Sequence, residues 1–282
     1  EHRYVGPIDI NCVVNEDGVY GLEFTPRFGY DAFPTLLHSL VDFDFGSFIV
    51  DLSHGGDSSC RLVPGFAAGV RLSIPPWPNE KFHNEDCVPL RGFDDESRSY
   101  FYPYGVMDVN DELQSSHGVG VLGVMNYEGR SIGQAFACVY HQIEKLKIPN
   151  LQYRTDLTKQ CLKDYRELRR ILTGDDEGWI GVDLDGTLAK YSGWSEDIGE
   201  PIPKMIQRVK RWLAEGKEVR ILSARGSVQP NKFEQLMKIY EWVEEHIGEP
   251  LEVTDKKDPA MLRLYDDRVR QVEEGTGELV AS

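Results

Sequence analysis

What this 282-residue chain lacks narrows its identity first. No apolar run approaches the ~20 residues needed to cross a bilayer and no secretory leader is visible, so the chain is expected in water, in the cytoplasm, without a membrane partner. The five cysteines (Cys12, Cys60, Cys87, Cys138, Cys161) are odd in number, scattered, and form no Cys-x-x-Cys pair. That pattern argues against a disulfide framework or a zinc site and for a reducing compartment. The histidines, His2, His38, His54, His83, His117, His141 and His246, show no metal-ligand spacing and read as structural or surface residues. Positive charge is short as well. Lys+Arg of 31 against Asp+Glu of 47 leaves −16, which repels polyanions and makes nucleic acid an unexpected partner. Internal repeats and low-complexity tracts are absent. The chain opens at Glu1 directly on a strand-like segment, as expected of the tail of a longer polypeptide.

What is present changes texture near residue 174. Before it, the chain is rich in Gly, Pro and short β-like runs. After it, strands alternate with long amphipathic helices. Thr173–Gly178 is short, polar and Gly-flanked, so the spacing predicts two domains, 1–173 and 174–282. In the first, Ile8–Asn15 and Val19–Thr25 predict a hairpin around Asn15–Gly18, and Val119–Met125 a strand followed by a turn at Asn126–Gly129. Ser131 with Gln134 three residues on forms a capping box for a helix to Lys147. A second helix over Leu157–Leu172 is expected to bury Cys161, Leu162, Tyr165, Leu168 and Leu172. Together with the Ile74–Pro78 loop these elements predict an α+β module.

In the second half, strands are expected at Trp179–Asp183, Glu218–Ser223, Leu251–Thr254 and Leu262–Asp266, with helices at Pro203–Glu215 and Asn231–Ile247 closed by Gly216 and Gly248. This alternation predicts right-handed crossovers, a parallel sheet, and a site at the carboxyl ends of its strands. Every residue with phosphate chemistry falls there. Strand alternation points Asp183 and Asp185 the same way, Gly186 lets the chain turn, and Thr187 is placed to hydrogen-bond the loop or a substrate. Ser223 supplies a hydroxyl with Arg225 just beyond it. Lys256 and Lys257 follow the third strand, with Lys257 favoured, and Asp266-Asp267 follow the last. Tyr191–Trp194 lies just past the first acids, where it is placed to contact a leaving group, although packing is the expected role of Trp194.

The run Asp183-Leu-Asp-Gly-Thr187 after an apolar strand resembles the first motif of the haloacid dehalogenase superfamily, and the other strand ends resemble its later motifs. The resemblance implies a Rossmann-like parallel α/β domain without a cap and a Mg2+-dependent phosphomonoester hydrolase. Asp183 is then the nucleophile and Asp185 the acid–base, Ser223 and Lys257 stabilise charge, and Thr187 and Arg225 touch substrate. Asp183, Asp185, Asp266 and Asp267 would surround the metal. The implied partner is a phosphorylated small molecule or a nucleotide.

The first half carries a second resemblance. Tyr20–Gly29, reading YGLEFTPRFG, is similar to the metal-binding strand of ATP-grasp ligases, and more specifically of the phosphoribosylamine–glycine ligase family of purine biosynthesis. Supporting stretches are the Pro/Trp loop near residue 76, Gly118–Gly129 with the helix after it, and Tyr153–Asp156, so the likeness covers about residues 1–158. It implies a partial ATP-grasp module in which Glu23 and Asp9 hold Mg2+ on ATP and Arg27 meets a phosphate or carboxylate. Thr25 stands where that family places Asn, and the upstream ligase domains are expected to be missing. Besides the hydrolase, two further readings stand: a fragment of a purine-biosynthetic carboxylate–amine ligase with an accessory second domain, and a non-catalytic ATP-grasp-derived scaffold.

Overall fold

The computed structural model describes residues 4, 6–40, 42–56, 61–79, 87–118, 120–174, 178–227 and 231–280, with the side chains of 38–40 excepted. His2, Cys60, His83, Val119, residues 175–177 of the expected 173–178 linker and the side chain of His38 therefore lie outside the described residues. The chain divides into two compact units, Glu1–Asp175 and Asp176–Ser282.

The first unit begins with an antiparallel hairpin, β1 (Asp9–Asn15) and β2 (Gly18–Thr25). Asn15 turns the chain by accepting the N–H groups of Asp17 and Gly18 at 2.9 and 3.2 Å. Two short helices follow, α1 (Ala32–Leu40) and α2 (Phe45–Ser53), the second capped by Asp44, whose carboxylate accepts the Ser47 N–H. Next come β3 (Phe66–Ser73), α3 (Asp95–Tyr100), β4 (Phe101–Pro103), the small hairpin β5 (Val106–Val109) and β6 (Glu112–Ser115), β7 (Val121–Gly129), α4 (Ile132–Lys145) and α5 (Leu157–Thr173). Strand β7 is central in the antiparallel order β3-β7-β4. Ala135, Phe136, Val139 and Ile143 recur at helical spacing along α4 and join Val70, Leu72, Leu122 and Met125 in one core. Each large side chain buried there contributes about 1.5–3 kcal/mol.

Two expectations are corrected in this unit. Asn126–Gly129 is not a turn but the end of β7, because Phe66 to Gly69 of β3 pair with it residue by residue. Asn126 is fully buried there, accepting the Thr35 hydroxyl at 2.6 Å and donating to the carbonyls of Tyr100 and Val124. Tertiary pairing overrides the local turn signature. The stripe of α5 is only half-buried: Cys161 and Leu162 pack against the core, but Tyr165, Leu168 and Leu172 are exposed. Tyr165 still meets Phe66 of β3 edge-on, at 5.4 Å between ring centres.

The second unit is mixed α/β with a parallel sheet. Its elements are β8 (Trp179–Asp183), α6 (Pro203–Ala214), β9 (Glu218–Leu222), a 3-10 turn at Ala224–Ser227, α7 (Lys232–Ile247), β10 (Glu252–Thr254) and β11 (Met261–Tyr265). The strand order is β10-β9-β8-β11 and every pairing is parallel. β8 is an inner strand, and the burial of Trp179, Ile180 and Val182 on both faces explains its unbroken apolar reading. Met205, Ile206, Val209 and Trp212 of α6, with Ile239, Trp242, Val243 and Ile247 of α7, complete the core. The chain leaves α6 and α7 through Gly216 and Gly248, both left-handed. Among the described residues, no helix is long and apolar enough to cross a membrane.

Candidate active site

The register of β8 against β11, Val182 beside Tyr265, brings two strand ends level, and the acids that follow them meet. One carboxylate oxygen from each of Asp183, Asp266 and Asp267 lies within 4.8 Å of the other two. Among the described residues this is the only group of three or more such side chains spaced to hold a metal. Asp183 is half-buried, and its carboxyl is pushed up to about 7. Burial is the larger cause, the charge of Asp266 comes next, and the Leu184 N–H partly opposes both. All-oxygen donors crowded in this way suit a hard cation such as Mg2+, which relieves the mutual repulsion.

The loop after β8 is braced rather than loose. Leu184, Leu188 and Ala189 are fully buried, and the N–H groups of Leu188 and Ala189 both donate to the Leu184 carbonyl, at 3.0 and 2.8 Å. Gly186 adopts φ +100°, and a Cβ there would stand 2.5 Å from the Asp267 carboxylate, so glycine spares the backbone strain and leaves that carboxylate in place. Thr187 joins the same loops: its hydroxyl oxygen accepts the Asp267 N–H at 3.0 Å, which leaves the hydroxyl proton for another acceptor. The Arg268 N–H donates to Asp266 at 2.7 Å and orients the remaining carboxylate.

Asp185 departs from the metal-ligand expectation. Its carboxylate is turned to Arg225, which donates through Nε at 2.7 Å and Nη2 at 2.8 Å. Arg225 departs too, because no N–H is left for a substrate: Nη1 donates to the Ser195 carbonyl at 2.7 Å and to Gln235 at 3.1 Å, and Nη2 reaches the Asp197 carbonyl at 3.5 Å. The guanidinium is a buried clamp. Trp194, expected to pack, is instead exposed, with one face over that guanidinium.

Ser223 is buried immediately beyond β9, whose Leu222 pairs with Asp183. Its Oγ accepts the Arg225 N–H at 3.2 Å, which leaves the hydroxyl proton for another acceptor. Lys256 and Lys257 both stand exposed beyond β10, two strands from β8. Asp258 was not foreseen. It accepts the indole N–H of buried Trp179 at 2.8 Å, an Arg220 N–H at 3.4 Å and the Ala260 N–H at 2.9 Å, bracing the strands beneath the site. An acid followed by Pro259 reads only as a loop, and the signal for its role lies in distant Trp179.

In the first unit the pairs Asp9–Thr25 and Asn11–Glu23 put all four side chains on one face of the hairpin. Asp9 and Glu23 are not accompanied there by a third acid at metal-holding distance among the described residues. The Asp9 carboxylate lies 3.7 Å from Arg27 and 3.4 Å from the Thr25 hydroxyl, so it neutralises Arg27 rather than facing Glu23 alone. Arg27 also stacks over Tyr30 at 4.4 Å.

No family model matches the chain. Over 161 residues it is 28% identical to the phosphoribosylamine–glycine ligase of Listeria monocytogenes serotype 4b (strain F2365), which covers 56% of this chain and 37% of the ligase. The ligase of Streptococcus pneumoniae (strain ATCC BAA-255 / R6) is 25% identical over 161 residues, with 57% of this chain and 37% of that one covered. About half of the chain is thus homologous to phosphoribosylamine–glycine ligase, and the chain spans 37% of the length of these curated relatives. Among solved structures, the phosphoribosylamine–glycine ligase of Thermotoga maritima matches with a TM-score of 0.43 and 18% identity, over 52% of this chain and 35% of that one.

Proposed function

We propose that Asp176–Ser282 is a Mg2+-dependent phosphomonoester hydrolase of the haloacid dehalogenase type. The observation that carries this reading is the meeting of Asp183, Asp266 and Asp267 at neighbouring parallel strand ends. Mg2+, when bound, would neutralise the carboxylates and the phosphoryl oxygens, so that an anionic nucleophile meets a less repulsive phosphorus. Asp183 and one or both of Asp266 and Asp267 are the residues to hold it.

Asp183 attacks phosphorus, forming an aspartyl-phosphate as the bond to the leaving oxygen breaks, and Asp185 supplies the proton that oxygen needs. Water then attacks the aspartyl-phosphate, Asp185 takes its proton, and inorganic phosphate leaves with Asp183 regenerated. The Arg225 clamp fixes the direction of the Asp185 carboxylate as it takes the proton of the water, and Asp185 holds that proton for the next leaving oxygen by giving up one of its two Arg225 hydrogen bonds. Ser223, with its free hydroxyl proton, and Lys257 stabilise the equatorial phosphoryl oxygens. The test is turnover of p-nitrophenyl phosphate and a panel of phosphomonoesters by the full chain in Mg2+ and in EDTA. Loss of turnover in Asp183→Asn and in EDTA is expected, and equal turnover by Asp183→Asn and wild type would remove the assignment.

A second reading rests on the homology to phosphoribosylamine–glycine ligase, and it concerns Glu1–Asp175. We read this unit as part of a purine-biosynthetic, ATP-dependent ligase, with Glu23 and Asp9 on one hairpin face as its metal-facing residues. The comparisons favour this reading for the chain's ancestry, and they do not reach the hydrolase chemistry. Calorimetry with Mg·ATP on the full-length parent protein separates an ATP-using ligase, which releases heat that Glu23→Gln abolishes, from a scaffold, which gives none.

A further inference from the structure

We propose that Trp194 is a stacking platform for the leaving group, so that the acid site takes phosphomonoesters built on a planar aromatic ring, nucleoside monophosphates being their common biological form. This rests on the hydrolase reading and adds a substrate class to it.

Trp179, Trp212 and Trp242 of the same unit are buried, whereas Trp194 is 56% exposed. Leaving an indole in water forfeits one of the largest apolar burials a residue offers. Its loop is nevertheless held firmly. Arg225 grips the carbonyls of Ser195 and Asp197, Gln235 donates to Glu196 at 3.3 Å, Lys238 donates to the same carbonyl at 3.2 Å and pairs with Asp197 at 3.1 Å, and the Trp242 indole donates to Gly199 at 3.0 Å. An exposed ring on a tethered loop is preorganised to receive something.

Its position says what. The Arg225 guanidinium carbon lies over the Trp194 ring, 5.0 Å from its centre, and its Nε–Nη2 edge grips Asp185, so a single guanidinium links the ring to the acid–base carboxylate. Beside the other acids, Arg268 lies 5.0 Å from the Tyr191 ring and 3.9 Å from Asp267. One loop thus sets two rings at the rim, each backed by an arginine that touches a site carboxylate. A leaving group that takes its proton from Asp185 starts one guanidinium away from the indole, and a planar ring on it stacks there where an aliphatic group does not. Stacking of a base on an aromatic side chain corresponds to roughly a ten-fold gain or more in binding.

The experiment compares AMP with ribose 5-phosphate, which carry the same phosphate ester with and without a base. With the full chain in Mg2+, kcat/KM for AMP is expected to exceed that for ribose 5-phosphate by about ten-fold. The ratio is expected to fall towards one in Trp194→Ala and to persist in Trp194→Phe. An equal ratio in wild type and Trp194→Ala overturns the proposal. If neither ester is hydrolysed, the hydrolase reading has failed independently, and the same pair is titrated against tryptophan fluorescence: quenching by AMP alone, lost in Trp194→Phe, keeps the ring site, and equal response to both compounds removes it.

Discussion

The guanidinium of Arg225 meets Asp185 edge-on, Nε 2.7 Å from Oδ2 and Nη2 2.8 Å from Oδ1, with the arginine 2% and the aspartate 18% exposed. A buried pair of this geometry draws its importance from what breaking it leaves behind. Removing the arginine strands a carboxylate beside Asp183, and the loss is expected at about 3–5 kcal/mol. Arg225→Met should therefore melt well below wild type in urea, while Arg225→Met/Asp185→Asn should recover a substantial part of the loss. Additive losses in the double-mutant cycle would show that the two side chains are not coupled. Arg225→Lys keeps the charge but not the fork, so it is expected to preserve more stability than turnover.

The raised carboxyl of Asp183 fixes the sign of a pH dependence. Because its folded value of about 7 lies above the ordinary 3.8, the native state keeps a proton that the unfolded chain loses as pH rises from about 4 to 7. Without metal, stability therefore falls across that window and levels above it. Asp183→Asn is expected to abolish this slope and to melt above wild type at pH 8 without Mg2+. Binding Mg2+ must expel the same proton, so Mg2+ affinity should rise from pH 5.5 to 7.5 and flatten beyond. Thermal shift with and without Mg2+ at four pH values reads both effects, and a flat Mg2+ response below pH 7 would contradict them.

The second unit was legible because its signals are local. Val182 leads into Asp183, Gly216 and Gly248 stop helices, and the strand–helix alternation dictates a parallel sheet whatever the distant residues do. The partnership of Asp185 with Arg225 was not legible, since it joins positions 40 residues apart whose identities suit a metal ligand and a substrate clamp equally well. Trp194 misled for a related reason: an indole is expected inside, and only the tethers from Arg225 and Lys238 explain why it stands outside. In the first unit, Asn126-Tyr-Glu-Gly129 has turn composition, yet pairing with β3 and the Thr35 hydroxyl hold it as strand.

Asp258 is expected to act on stability through Trp179. It accepts the indole N–H of a fully buried tryptophan, and deleting the acceptor leaves that donor unpaired at a cost of about 1–3 kcal/mol. Asp258→Ala should lose this in urea denaturation, and Asp258→Asn, whose amide oxygen still accepts, should lose less. Equal losses would mean that the pairing with Arg220, not the indole, is the contact that matters.

Gly186 separates the two acid loops by the width of a missing methyl group. Alanine at φ +100° carries backbone strain of about 1–3 kcal/mol, and its Cβ would collide with the Asp267 carboxylate 2.5 Å away. A carboxylate is the free end of its side chain, so it is expected to swing aside instead of unfolding the loop. That swing separates Asp267 from Asp183 while the Thr187 contact to the Asp267 N–H remains. Gly186→Ala should therefore combine a modest fall in melting temperature with a loss of Mg2+ affinity of about ten-fold or more, on the scale of disturbing a ligand's orientation. Calorimetric Mg2+ titration beside a thermal melt distinguishes the outcomes. Wild-type Mg2+ affinity in a folded Gly186→Ala protein would show that Asp267 is not part of the ion's seat, leaving Asp183 and Asp266 to hold it.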